Sequence, residues 1–253
     1  MTSAHAAGAF GPWQLFLLPA LSDNYIYLLF HNDSGYVVVI DPGEKTPVDN
    51  WLFTHQATLH TVLLTHHHHD HIGAASALRR AYDCRIIGAV ADRERLPALD
   101  HELEEGQIFF IEGQRFETLT IPGHTLGHVA YYLPEAGLLF CGDTLFSLGC
   151  GRLFEGTPEM MHASLSLLAS LPDDTHVCCG HEYTLANARF ALTIEPENAA
   201  LRARYEHAIA LRAQGLPTLP VPLAIEKAAN PFLRTGDDIP RFASLRARKD
   251  LFQ

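Results

Sequence analysis

Two patterns of apolar and polar positions divide the chain. In the first two thirds, short apolar runs recur and each closes on turn residues and then an Asp or His. Tyr36-Val37-Val38-Val39-Ile40 leads into Asp41-Pro42-Gly43, and Thr61-Val62-Leu63-Leu64 into Thr65-His66. Phe116 to Ile121 leads into Pro122-Gly123-His124, Leu138 to Cys141 into Gly142-Asp143, and Thr175 to Cys179 into Gly180-His181. Such runs predict buried strands. Side by side, their ends would bring these residues to one edge of a sheet, where α/β folds commonly place ligands. From Tyr183 to Gln214 the chain is instead rich in Ala, Leu, Arg and Glu and predicts helices. The break at Glu195-Pro196-Glu197 suggests a new helix with Pro196 in its first turn. A Pro-rich loop from Gly215 to Pro222 follows, and a last helix is expected from about Pro240 to Phe252. The pattern therefore predicts a mixed domain, residues 1–181, and a small helical domain, residues 182–253, packed against it.

The densest chemistry lies in Thr65-His66-His67-His68-His69-Asp70-His71, between the strand at Thr61–Leu64 and a helix opening near Gly73. Its internal position, flanked by core-type sequence, excludes a tag. Imidazoles and a carboxylate at a strand-to-helix junction suit a transition-metal site. In extended backbone, residues two apart share a side. His66 and His68 can thus grip one ion while His67 and His69 turn away and pack or hydrogen-bond around the loop. The adjacent Asp70 and His71 diverge from that pair and can serve a second ion.

Composition narrows the class. The 253 residues are 47% hydrophobic and 19% charged, as expected of a globular enzyme. No apolar run approaches the ~20 residues of a membrane helix, and Met1 to Trp13 does not read as a secretory signal. Five cysteines, an odd number without a Cys-x-x-Cys, suggest reduced thiols and a cytoplasmic location. Cys141, Cys178 and Cys179 read as core fillers. The net charge of −11 is uneven: residues 1–175 hold 8 Lys and Arg against 21 Asp and Glu, or −13, and the remainder 10 against 8, or +2. An acidic body argues against a nucleic-acid partner. The more basic end suits a small anion.

These residues match a family. Thr65-His66-x-His68-x-Asp70-His71 resembles the signature of the metallo-β-lactamase superfamily. Ile121-Pro122-Gly123-His124-Thr125-Leu126-Gly127-His128, Gly149 to Gly156, Gly180-His181-Glu182-Tyr183, Asn230-Pro231-Phe232-Leu233-Arg234 and Arg246 to Asp250 together resemble the glyoxalase II, or hydroxyacylglutathione hydrolase, family. The resemblance implies an α+β, four-layer αββα sandwich with a C-terminal helical domain. It implies two divalent ions, zinc first, with iron and manganese also suited. His66, His68 and His124 would hold one ion, Asp70, His71 and His181 the other, and Asp143 would bridge them. Asp41 would support the ligand loop, and His128 would be structural. Arg152, Leu153, Phe154, Tyr183, Arg246 and Lys249 would line the substrate groove. Arg152 stands where some members carry Lys, and Phe154 where some carry Tyr.

The implied reaction is hydrolysis of the thioester S-D-lactoylglutathione to D-lactate and glutathione, the second step of methylglyoxal detoxification, by a monomer. Paired ions can lower the pKa of a shared water from 15.7 toward ~7, with Asp143 and Asp70 as the carboxylates at the reacting centre. A thiolate, of parent pKa ~8.5, departs without a strong acid. The rivals are another hydrolase or a persulfide dioxygenase of the same superfamily, and a non-catalytic metal-binding protein. The complete ligand set disfavours the last.

Overall fold

The computed structural model describes residues 4–252. The first sheet opens with an antiparallel meander, β1 (His5–Phe10), β2 (Trp13–Ala20), β3 (Asn24–His31) and β4 (Val37–Ile40). Helix α1 (Lys45–His55) crosses to β5 (Thr61–Leu63), which pairs parallel to β4. A helical turn, α2 (His69–Ile72), and α3 (Ala75–Tyr82) lead to β6 (Arg85–Ala89), and β7 (His101–Leu103) completes seven strands.

The second sheet begins with β8 (Ile108–Ile111), β9 (Gln114–Thr120), β10 (Val129–Leu133) and β11 (Leu138–Gly142). A short hairpin, β12 (Leu145–Phe146) and β13 (Gly149–Cys150), and helix α4 (Pro158–Ala169) precede β14 (His176–Cys179), which pairs parallel to β11. Thr157 caps α4 by accepting from the Met160 amide, with Pro158 in the first turn.

The first sheet is buried on both faces, which is why its strands read as nearly continuous apolar runs. Along β4, Val38 and Ile40 face the second sheet, while Val37 and Val39 face the helices. Trp13, Leu15, Leu17, Tyr27 and Leu29 meet Phe116, Tyr131, Phe140 and Val177 between the sheets. Leu18, Ile26, Leu28 and Val62 meet Val48, Trp51 and Leu52 of α1 and Leu78 of α3. With α4 and the later helices on the outer face of the second sheet, the layers run αββα as expected. The strand-end residues, however, gather between the ends of two sheets, not along one edge of a single sheet.

Helices α5 (Thr184–Ile194) and α6 (Ala199–Ala213) follow. Pro196 does not start α6: Asn198 does, its side chain accepting from the Leu201 amide, so the proline sits before the cap. The end of the Pro-rich segment forms β15 (Val221–Pro222), which extends the second sheet beside β14. Helix α7 (Leu223–Ala229), absent from the sequence expectation, runs into Asn230, and α8 (Ile239–Leu251) closes the chain. Among the described residues, no helix is long and apolar enough to cross a membrane.

A buried polar knot ties the helical end to the body. Glu226 of α7 accepts from Ser147 Oγ and the Leu148 amide, both at 2.7 Å. Asn230 Nδ2 donates to the Phe146 and Gly149 carbonyls at 3.2 and 3.0 Å. These bonds pin the β12–β13 hairpin that follows Asp143. A buried carboxylate of this kind persists only when its oxygens are satisfied.

Candidate active site

The loops after β4, β5, β9, β11 and β14 and the turn between β2 and β3 converge where the sheets meet. The Tyr25 amide donates to the Gly180 carbonyl at 2.8 Å, and Asn24 forms an isolated antiparallel bridge with His181, tying the sheets together there. The chain passes so closely that a Cβ on Gly180 would lie 2.6 Å from both Asp143 Oδ1 and His71 Cε1. Asp41 adopts a left-handed backbone conformation, φ 53°. Its carboxylate takes the Thr65 amide at 2.8 Å, the Thr65 hydroxyl at 2.6 Å and His71 Nδ1 at 3.0 Å. A strained residue held by three contacts is typical of a site whose geometry is over-determined.

Two triads face each other across Asp143. His66, His68 and His124 bring one ring nitrogen each within 4.8 Å of one another, and Asp70, His71 and His181 bring their ligand atoms within the same distance. Asp143 Oδ2 stands 3.4 Å from His124 Nε2 and 3.3 Å from His181 Nε2, and Oδ1 stands 3.4 Å from His71 Nε2. Asp70 Oδ2 lies 3.3 Å from His181 Nε2 and 3.4 Å from His71 Nε2. Atoms bound tetrahedrally at ~2.0–2.1 Å stand about 3.3–3.4 Å apart, so this is the spacing of donors around shared centres. His66 Nε2, His71 Nε2 and Asp143 Oδ1 are buried without any hydrogen-bond partner. Orphaned atoms of this type are costly unless something occupies the space between them. The donor set therefore fits divalent metal ions.

Electrostatics agree with that fit. Burial drives His66 well below the ordinary imidazole range and lowers His68 and His124 as well. Burial acts the same way on His71 and His181, but the Asp143 charge outweighs it, raising His71 strongly and His181 to about 10. Asp143 and Asp70 are held below the usual carboxylate range despite burial, Asp143 chiefly by His71 and His181, Asp70 by His181, His71 and Asn24. Cations are what this pocket is built to hold.

The far nitrogens of the imidazoles are also fixed. His71 Nδ1 meets Asp41, and His181 Nδ1 meets Asp23 Oδ1 at 2.7 Å. His124 Nδ1 donates to the Arg152 carbonyl at 2.9 Å, and His66 Nδ1 lies 3.0 Å from the Thr65 hydroxyl. His68 presents Nδ1, not Nε2, 2.9 Å from His124 Nε2. His128 stacks on His66 at 4.5 Å and accepts from the Asp143 amide at 3.2 Å, the structural place expected for it. His69 is exposed at the cavity rim, and His67 turns away to Asp92. The expectation had passed over Asp23 and Asn24, which bond His181 and Asp70; Asn24 Nδ2 lies 3.0 Å from Asp70 Oδ2. The signal was available, because Ser22-Asp23-Asn24 is another polar turn between apolar strands.

Above the triads opens a cavity of about 710 Å³, lined by His68, Asp70, His124, Asp143 and His181 on its floor and by Arg152, Phe154, Tyr183, Arg246 and Lys249 on its walls. Tyr183 stacks flat on His181, ring centroids 4.7 Å apart. Phe154 is 63% exposed and set edge-on to His68 and His124. Leu153 does not line the cavity: its side chain is partly buried against the main core, because the residues of this segment alternate in direction. Arg246, only 4% exposed, is mostly committed to the protein, donating to the Cys150 carbonyl at 2.6 Å and to Asp250 at 2.9 Å. Lys249 is the freer cation, half-buried over the Phe190 and Phe252 rings, its pKa lowered by burial and by Arg246 and Arg152.

Fold and donor set together define a class, and comparison with known proteins agrees. The model of the metallo-beta-lactamase superfamily matches residues 21–181, and that of the hydroxyacylglutathione hydrolase C-terminus matches residues 182–252. The crystal structure of ETHE1 from Myxococcus xanthus superposes with a TM-score of 0.70 at 26% identity, covering 95% of this chain and 94% of that one. TTHA1623 in a di-iron-bound form gives 0.55 at 32% identity, over 62% of this chain and 87% of that one. Hydroxyacylglutathione hydrolases of Pseudomonas aeruginosa PAO1 and Ruegeria pomeroyi are each 48% identical, over 94% and 95% of this chain and 99% and 100% of their own lengths. The chain belongs to the hydroxyacylglutathione hydrolase family of that superfamily.

Proposed function

We propose that the chain hydrolyses S-D-lactoylglutathione to D-lactate and glutathione. The observation that carries this reading is the pairing of two metal-ready triads, joined at Asp143, with a cation-bearing wall supplied by the helical end. His66, His68 and His124 would hold one divalent ion, Asp70, His71 and His181 the other, and Asp143 would serve both. When bound, two such ions supply Lewis-acid charge and an acidified water. Zinc is the first expectation, and the di-iron form of TTHA1623 supports iron as an alternative.

The chain's own groups do the rest. Asp41 and Asp23 fix the rings of His71 and His181, and Asn24 fixes the Asp70 carboxylate, so that the floor is preorganised before substrate arrives. Arg152 and Lys249 offer charge to the carboxylates of a glutathionyl group, and Tyr183 and Phe154 offer flat walls to its peptide backbone. Arg246 holds α8 against the Cys150 carbonyl and so sets where Lys249 stands. Burial pushes the Tyr183 phenol upward, which makes it a poor proton donor to a leaving group. A thiolate leaving group tolerates this because its parent thiol has a pKa of ~8.5.

The test compares S-D-lactoylglutathione, a β-lactam and a phosphodiester on one preparation whose metal content is measured. Hydrolysis of the thioester alone, with two ions per chain, is the expected result. Preference for either other substrate would replace this reading with that of another hydrolase.

A further inference from the structure

Outside the metal cluster lies a second group of charged side chains that the reaction does not use. Asp92 sits in the single helical turn after β6, and its carboxylate is 0% exposed. It meets His67 Nδ1 at 2.9 Å through one oxygen and accepts from Arg95 Nε at 2.8 Å through the other. Arg95 also reaches Glu155, whose second oxygen accepts from the Leu126 amide at 2.8 Å, and His67 Nε2 stands 3.5 Å from Glu155. Gly127 packs against the same carboxylate so closely that a Cβ there would lie 2.8 Å from Asp92 Cβ and Cγ.

Each contact lands beside a residue of the cleft. His67 lies between His66 and His68. Leu126 and Gly127 follow His124. Glu155 follows the Arg152–Phe154 lip, which is already joined to His124 by the bond from His124 Nδ1 to the Arg152 carbonyl and by the Phe154 amide, 3.3 Å from the His124 carbonyl. We propose that Asp92, with Arg95 and Glu155, is the positioning device of the first triad, locking the three loops that carry His66, His68, His124 and the cleft lip. A fully buried carboxylate is costly without charged partners, and here the partners are supplied by the loops being held. With His67 fixed on Asp92, its ring stays out of the cavity and its neighbours on either side face in. The second triad is held differently: Asp41 and Asp23 grip its rings directly.

This inference rests on the metal-centre reading, and its test separates the two. Asp92→Asn keeps the shape and removes the charge. Cobalt(II) is titrated into the metal-free full chain, and His68→Ala and His181→Ala supply reference spectra for loss of the first and second ion. The expected result is a loss of roughly ten-fold or more in affinity at the first centre, the scale of an outer hydrogen-bond partner, with the second within about two-fold. Loss of both ions equally, or of neither, overturns the proposal. If Asp92→Asn does not fold, Glu155→Gln at the rim is read instead. In the same cobalt titration it should weaken the first centre several-fold and leave the second within about two-fold; equal weakening of both centres, or of neither, overturns the proposal. Should the parent chain bind two cobalt ions but leave lactoylglutathione intact, the substrate assignment fails, while the splitting of the two affinities still tests the positioning role.

Discussion

The two triads share Asp143 yet are held in different ways. Around His71 and His181 the supporting groups are carboxylates, Asp41 and Asp23, bonded straight to the far ring nitrogens. Around His66 and His124 they are neutral, a threonine hydroxyl and a backbone carbonyl. A carboxylate behind an imidazole raises its basicity and fixes its tautomer. The triad that contributes its own anionic ligand, Asp70, therefore also has the more electron-rich rings, and the all-imidazole triad depends on how its loops are packed. One half is organised by direct charge contacts, the other by the placement of three loops.

The largest effect should come from the residue common to both halves. Asp143→Ala should strip the chain of metal and reduce kcat by at least ~10²–10³, the scale of losing a preorganised electrostatic group. Metal analysis beside the thioester assay checks this, and a variant retaining both ions would break the symmetric role given to Asp143. Next come the carboxylates behind the second triad. Asp23→Asn should weaken one ion by about 10–100-fold and leave the other in place, read by competition with a chelator. Equal weakening of both would erase the contrast between the halves.

The cleft walls sharpen the comparison further. Lys249→Ala should raise KM for the glutathione substrate about ten-fold, the effect of one hydrogen bond to a charged group, with only a small drop in melting temperature from its lost contacts with Phe190 and Phe252. Arg246→Ala should lower stability as well, by about 1.5–3 kcal/mol, because the Cys150 carbonyl loses a charged donor. Thermal melts set against KM separate the two, and identical behaviour would mean that both residues are simple clamps. Smaller in consequence for the centre itself is the leaving group. Matched oxygen esters should be cleaved more slowly than thioesters, because an alkoxide needs a proton that the Tyr183 phenol is poorly suited to give. Equal rates would reveal an acid within the cleft.

Much of the centre was legible because its donors are short-range signals. His66 to His71 are contiguous, and His124, Asp143 and His181 each follow a strand and a glycine turn. The alternation of Val37, Val38, Val39 and Ile40 between two cores explains why those strands looked uniformly apolar. What escaped notice depends on contacts between distant segments. Asp92, Arg95 and Glu155 look like ordinary surface charges in sequence, and only the fold sets them around His67. Asp23 is 158 residues from His181. Proline suits the first turn of a helix, but the side chain of Asn198 offers the Leu201 amide an acceptor that Pro196 cannot, so α6 starts after Asn198. Leu153 was grouped with its neighbours on the cleft, although alternation along the segment turns it into the core. Helix α7 is seven residues long, and its Glu226 and Asn230 gain their meaning only from the hairpin they hold.

The most direct test of the central claim is to count ions per chain while following S-D-lactoylglutathione hydrolysis, as metal is returned stepwise to the stripped protein. The account predicts that two ions bind, that activity reaches its plateau only when the second centre fills, and that Asp143→Ala binds neither and stays inactive. Full activity with one ion per chain, or two bound ions with no thioester hydrolysis, would contradict it.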